Sequence, residues 1–128
     1  MDSLQIGSLE LAYLGDAVIE LMVRTRLVRS GTCGSGKLNK MSLQYVKATS
    51  QSSALENILP ELTEEELGVY KRARNNNKIS APKSASVGEY RRATGLEALF
   101  AYLYLEGKTS RLEYLFNKAY PENSDTDK

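Results

Sequence analysis

The stretch Ser8–Arg29 restricts this chain more than any other. It carries Leu9, Leu11, Ala12, Tyr13, Leu14, Ala17, Val18, Ile19, Leu21, Met22, Val23 and Leu27, with no proline among them. Apolar side chains at this spacing specify a helix, and they fall on most of its faces, which predicts a central buried helix rather than a surface one. Gly31, Gly34 and Gly36 then mark its end. The rest of the chain repeats the pattern in shorter pieces. Helices are predicted over about 38–49, about 52–59 (stopping at Pro60), about 63–74, 87–106 (ended by Gly107) and about 110–119. Thr63-Glu64-Glu65-Glu66 and Ser110-Arg111-Leu112-Glu113 both read as capping boxes. No strand pattern and no internal repeat is present, so the predicted fold is all-α with about six helices. One domain over 1–120 and a disordered polar tail over 121–128 complete the expected organisation.

What the chain lacks narrows its chemistry. There is no histidine and a single cysteine, Cys33. Ser-His and Cys-His catalysis are excluded, as are histidine-dependent metal sites and an intramolecular disulfide. Catalysis would have to run on carboxylates, lysines, tyrosines or a hard cation, and oxygen ligands favour Mg²⁺, Mn²⁺ or Ca²⁺ over Zn²⁺. No apolar run approaches the roughly 18 residues of a membrane span. No basic segment followed by an apolar one opens the chain, and a cytoplasmic protein is expected. The 41% apolar and 26% charged composition is that of a soluble globular domain.

Two acids stand out against this background. Asp16 lies mid-helix among Tyr13, Leu14, Ala17 and Val18. Asp is a poor helix-interior residue, and an unpaired buried carboxylate is costly. Either a cation, a metal or a set of hydrogen bonds stabilises it, or it faces solvent or pairs with an arginine such as Arg91 or Arg92. Gly15 beside it costs about 1 kcal/mol against alanine, but it permits close approach of another helix. Glu20 follows one turn on. Glu97 is the one charge in Gly95-Leu96-Glu97-Ala98-Leu99-Phe100-Ala101-Tyr102-Leu103. It is either the polar edge of its helix or, meeting Asp16 in the core, half of a site for one hard divalent cation. Charge is also uneven. Lys71, Arg72, Arg74, Lys78, Lys83, Arg91 and Arg92 lie within 71–92 against the single acid Glu89, although net charge is only +1. Such a cluster suits nucleic acid; a solvated surface is the plain alternative.

Leu11-Ala12-Tyr13-Leu14-Gly15-Asp16-Ala17-Val18 resembles the signature helix of the ribonuclease III family, and Glu97-Ala98-Leu99 through Leu105-Glu106-Gly107 resembles its second acidic helix. The Tyr90-Arg91 pair, the Tyr102–Gly107 ending and the length resemble its Mini-ribonuclease III branch, which has the catalytic domain without a double-stranded-RNA-binding domain. The resemblance covers about residues 8–119. It implies a helical homodimer, with Mg²⁺ (or Mn²⁺) at Asp16 and Glu97, that hydrolyses double-stranded RNA to 5′-phosphate and 3′-hydroxyl ends. The substrate it implies is precursor 23S ribosomal RNA, with a ribosomal protein as a possible helper; in a plant the compartment would be the plastid stroma. Two positions that are acidic in larger family members are Ala12 and Thr94 here, which fits the short branch and implies one cation held by protein, a second mainly through substrate. Arg72, Arg74, Lys78, Lys83 and Arg91 are the expected RNA contacts, reading A-form shape and phosphate. The rival expectation is a non-catalytic domain of this type that binds ribosomal RNA or a protein.

Overall fold

The computed structural model describes residues 5–76 and 86–122. Six helices follow in order: α1 (Ser8–Arg29), α2 (Ser35–Val46), α3 (Ala48–Ile58), α4 (Glu64–Arg74), α5 (Val87–Leu105) and α6 (Thr109–Ala119), with a 3-10 turn at Leu59–Glu61. Among the described residues there is no strand. The all-α expectation and the number of helices hold.

The centre of the fold is α5, not α1. From Ala93 to Leu103 every α5 residue except Glu97 is buried. Helices α1, α3, α4 and α6 pack around it, α1 most extensively. The apolar excess of α1 divides in two. Leu11, Val18, Ile19, Val23 and Leu27 enter the core, while Tyr13 is 85% exposed, Leu21 66% and Val28 63%. The prediction of a helix buried on most sides is therefore corrected: a stripe of α1 carrying Tyr13, Leu21 and Val28 is left uncovered by its own chain.

Two glycines set how closely the helices cross. A Cβ on Gly15 would lie 1.7 Å from the Glu97 carbonyl oxygen, so α1 meets the α5 backbone directly. A Cβ on Gly95 would lie 2.5 Å from the Tyr70 ring and 3.0 Å from the Tyr70 carbonyl oxygen, bringing α4 equally close. Both sites need a residue without a side chain because backbone, not a movable rotamer, occupies the space.

Local signals explain most of the helix ends. The Thr63–Glu66 capping box is formed in both directions. A second one at Ser86–Glu89, which the sequence reading passed over, opens α5. The predicted box at Ser110–Glu113 does not form: Gly107 (φ +70°) turns the chain so tightly that α6 begins at Thr109, with Lys108 as its N-cap and no side-chain cap bond. Helix α2 starts earlier than predicted because Gly34 (φ +93°) makes the turn and Gly36 is already helical. Helix α3 likewise starts at Ala48 rather than near residue 52. Buried Glu66 accepts two bonds from Arg111, at 2.9 and 2.8 Å, tying α4 to α6. Arg26 of α1 lies 4.7 Å from the Phe116 ring centroid and donates to Asn117 at 2.9 Å.

Candidate active site

The close crossing of α1 and α5 assembles the two acids. With Gly15 pressed onto the backbone of Glu97, the carboxyls of Asp16 and Glu97 come within interaction distance of each other. The two are unequally placed. Glu97 is half-buried, and its pKa is pushed up to about 8, first by burial and then by the adjacent negative charge of Asp16. Asp16 is exposed. Of the two alternatives the sequence left open, exposure holds: of its apolar neighbours Val18 is buried, while Tyr13 and Ala17 are exposed with it. No ion pair joins either acid to a lysine or arginine among the described residues. Arg91 and Arg92, the alternative partners, are engaged elsewhere. Arg91 donates through Nη1 to the carbonyls of Arg74 (3.0 Å) and Asn76 (2.9 Å), closing the C-terminal end of α4. Arg92 donates through Nε to Ser52 Oγ at 2.7 Å.

The donor set suits a hard divalent cation. Two carboxylates converge where a positive charge would relieve both the burial of Glu97 and its repulsion from Asp16. No cluster of three or more metal-ligating side chains occurs among the described residues. Ala12 and Thr94 are buried, and Thr94 donates its hydroxyl to the Tyr90 carbonyl at 2.9 Å, so it points along its own helix. Glu20 pairs with Arg24 at 3.2 Å.

The basic residues gather where α4 ends and α5 begins. Arg72 is exposed. Arg74 is half-buried, its guanidinium 5.3 Å from the Tyr70 ring centroid and bonded to Asn75 at 3.0 Å. Lys78 and Lys83 lie outside the described residues. Arg91 precedes Glu97 by six residues on α5, about 9 Å along the axis. Sequence reading passed over Gln51, which lies on α3 against Glu97; its segment, Ala48-Thr49-Ser50-Gln51-Ser52-Ser53, looks like an ordinary polar surface.

The ribonuclease III domain matches residues 9–108, most of the chain and all of the site. The chain belongs to the ribonuclease III family. It is 45% identical over 116 residues to the Mini-ribonuclease 3 of Symbiobacterium thermophilum, covering 91% of this chain and 89% of that one. Against the Mini-ribonuclease 3 of Staphylococcus aureus the identity is 40% over 115 residues, covering 88% and 86%. A Fusobacterium nucleatum protein of known crystal structure has the same fold, with a TM-score of 0.80 at 36% identity over 88% of this chain and 90% of that one. Members of this family are divalent-metal-dependent endoribonucleases that act on double-stranded RNA, and this chain is an endoribonuclease. No described helix is long and apolar enough to cross a membrane.

Proposed function

We propose that residues 1–120 form the catalytic unit of a homodimeric endoribonuclease that cleaves double-stranded RNA with Mg²⁺, or Mn²⁺ in its place, held by Asp16 and Glu97. The observation that carries this reading is the convergence of these two carboxylates at the Gly15 crossing, in a chain without histidine. When bound, a divalent cation supplies an activated water and charge to offset the phosphate. The protein's part is to hold two anionic oxygens at a fixed separation and to keep Glu97 partly shielded from solvent. Hydrolysis leaves 5′-phosphate and 3′-hydroxyl ends.

The substrate in this reading is the duplex formed in precursor 23S ribosomal RNA, in the cytoplasm, or in the stroma if the source is a plant, with a ribosomal protein as the helper that presents it. The resemblance to Mini-ribonuclease 3 supports this. Without a separate RNA-binding domain in the matched region, phosphate contact falls to Arg72, Arg74, Lys78, Lys83 and Arg91. Arg91 already spends one guanidinium nitrogen on the end of α4, so it would act from a fixed position. The uncovered stripe of Tyr13, Ala17 and Leu21, spaced four apart beside Asp16, supports dimerisation through α1.

Incubation with duplex RNA and Mg²⁺ tests the mechanism. Asp16→Asn and Glu97→Gln should each abolish cleavage while binding persists, and cleavage that survives Asp16→Asn refutes it. A precursor 23S duplex should be cut in preference to an unrelated duplex of equal length. Arg72→Ala should lower the slope of log affinity against log salt by about 1.

A further inference from the structure

Among the described residues, only Gln51 has a buried side-chain nitrogen or oxygen without a hydrogen-bond partner: its Nε2. The residue is 2% exposed. It shares the core-facing stripe of α3 with Leu55 and Ile58, at i, i+4 and i+7. An apolar side chain there would fill the space without a polar group to satisfy, and an unsatisfied buried amide is a destabilising choice. The other buried polar side chains on this side of the core are provided for: Ser52 accepts from Arg92 at 2.7 Å, and Thr94 donates to Tyr90 at 2.9 Å. The Arg92–Ser52 bond also holds the register of α3 against α5 at the residue next to Gln51. Across that contact, Gln51 lies beside the carboxyl of Glu97, close enough for its amide to favour the charged form.

We propose that Gln51 is a positioning residue for the divalent-cation site: its side-chain amide donates to one oxygen of Glu97 and so turns the other toward the cation shared with Asp16. The inference rests on the reading of Asp16 and Glu97 as the ligands. The residue type fits the task. A lysine or arginine here would neutralise Glu97 and repel the incoming cation. A neutral donor orients the carboxylate and leaves its charge for the metal. The amide nitrogen, not the oxygen, must face the carboxylate, because two acceptors would repel. Nε2 has no other partner among the described residues, so it would be free to make this bond once Asp16 and Glu97 hold a cation.

The test is Mn²⁺ binding to the full chain without RNA, followed by the loss of the free aqueous Mn²⁺ paramagnetic resonance signal, for wild type, Gln51→Met and Glu97→Gln. Gln51→Met keeps the volume and removes the donor. It should weaken Mn²⁺ binding about 10–100-fold, while the metal-free melting temperature stays level or rises. A residue that merely fills space would leave the Mn²⁺ affinity unchanged, whatever the melting temperature does. If Gln51→Met fails to fold, Gln51→Leu takes its place with the same expectation. Affinity within about twofold of wild type for the Gln51 variant, with Glu97→Gln having lost binding, overturns the role of Gln51 and leaves the metal reading standing. Mn²⁺ binding undiminished by Glu97→Gln overturns both.

Discussion

Replacing Gly15 by alanine separates two effects that are opposite in sign. In an ordinary exposed helix the change stabilises by about 1 kcal/mol, because glycine is the poorer helix former. Gly15 is buried, and the added Cβ would fall 1.7 Å from the carbonyl oxygen of Glu97, 2.4 Å from its carbonyl carbon and 2.8 Å from its Cα. All three are backbone atoms, so no rotamer change relieves the clash. Helices α1 and α5 must move apart by about 1.5 Å to restore van der Waals contact near 3.2–3.5 Å. They form the most extensive helix pair in the fold, so the movement loosens the core along its length. Overpacking of this kind costs about 1–3 kcal/mol, and loss of contact along the α1–α5 seam adds to it; after the propensity gain, the net destabilisation should be about 2–3 kcal/mol. Asp16 and Glu97 separate by the same movement, and misplacement of catalytic groups by about 1 Å costs about 100-fold in rate. Gly68 is the internal control. It is exposed within α4 with nothing within 4 Å of its would-be Cβ, and Gly68→Ala should stabilise by about 1 kcal/mol. Urea denaturation followed by circular dichroism gives both values, and cleavage of duplex RNA gives the rate. A Gly15→Ala variant as stable as Gly68→Ala would refute the crossing as the device that joins the two acids.

Three other outcomes follow from the same structure. In metal-free protein the Glu97 pKa is about 8 rather than 4.5, so between these values the folded state binds more protons than the unfolded chain, and stability falls as pH rises through that window. Glu97→Gln should remove this decline. The full shift corresponds to roughly 4–5 kcal/mol, and solvent at the half-buried carboxyl reduces it to about 2–3 kcal/mol. Urea titrations in chelator at about pH 5 and pH 8 should therefore show the variant equal to wild type at the lower pH and more stable at the higher; equal slopes would contradict the burial of Glu97. Arg111 holds the Glu66 carboxyl below its ordinary pKa of 4.5, chiefly through their hydrogen bonds. Arg111→Met should destabilise by about 2–4 kcal/mol at neutral pH, with the deficit shrinking as pH falls below 4.5 and Glu66 takes up its proton. Leu21→Glu should convert a dimer to a monomer by light scattering at micromolar concentration, and a monomeric wild type would leave the exposed α1 stripe without the proposed partner.

What was legible in the sequence depended on contrast with the surroundings. Asp16 and Glu97 are charges in apolar helices, and Gly15 is a helix-breaking residue in a helix, so each announces a constraint before any coordinates are known. Ser8–Arg29, Thr63 and Gly107 likewise carry local signals strong enough to set helix ends. The Ser110–Glu113 box misled because the residues were right but the turn at Gly107 left no room for the cap. The exposure of Tyr13 and Leu21 was hidden for another reason: hydrophobic periodicity shows that a face is apolar, not whether its own chain or a second one covers it. Gln51 was the least legible of all. Polar residues flank it, so its burial produces no anomaly in the pattern, and only the packing of α3 on α5 brings it to Glu97. Residues that touch a reacting group tend to break the local pattern, because their chemistry conflicts with the helix that carries them. A residue that orients such a group need only match one partner across a helix contact, and that match exists in the fold rather than along the chain.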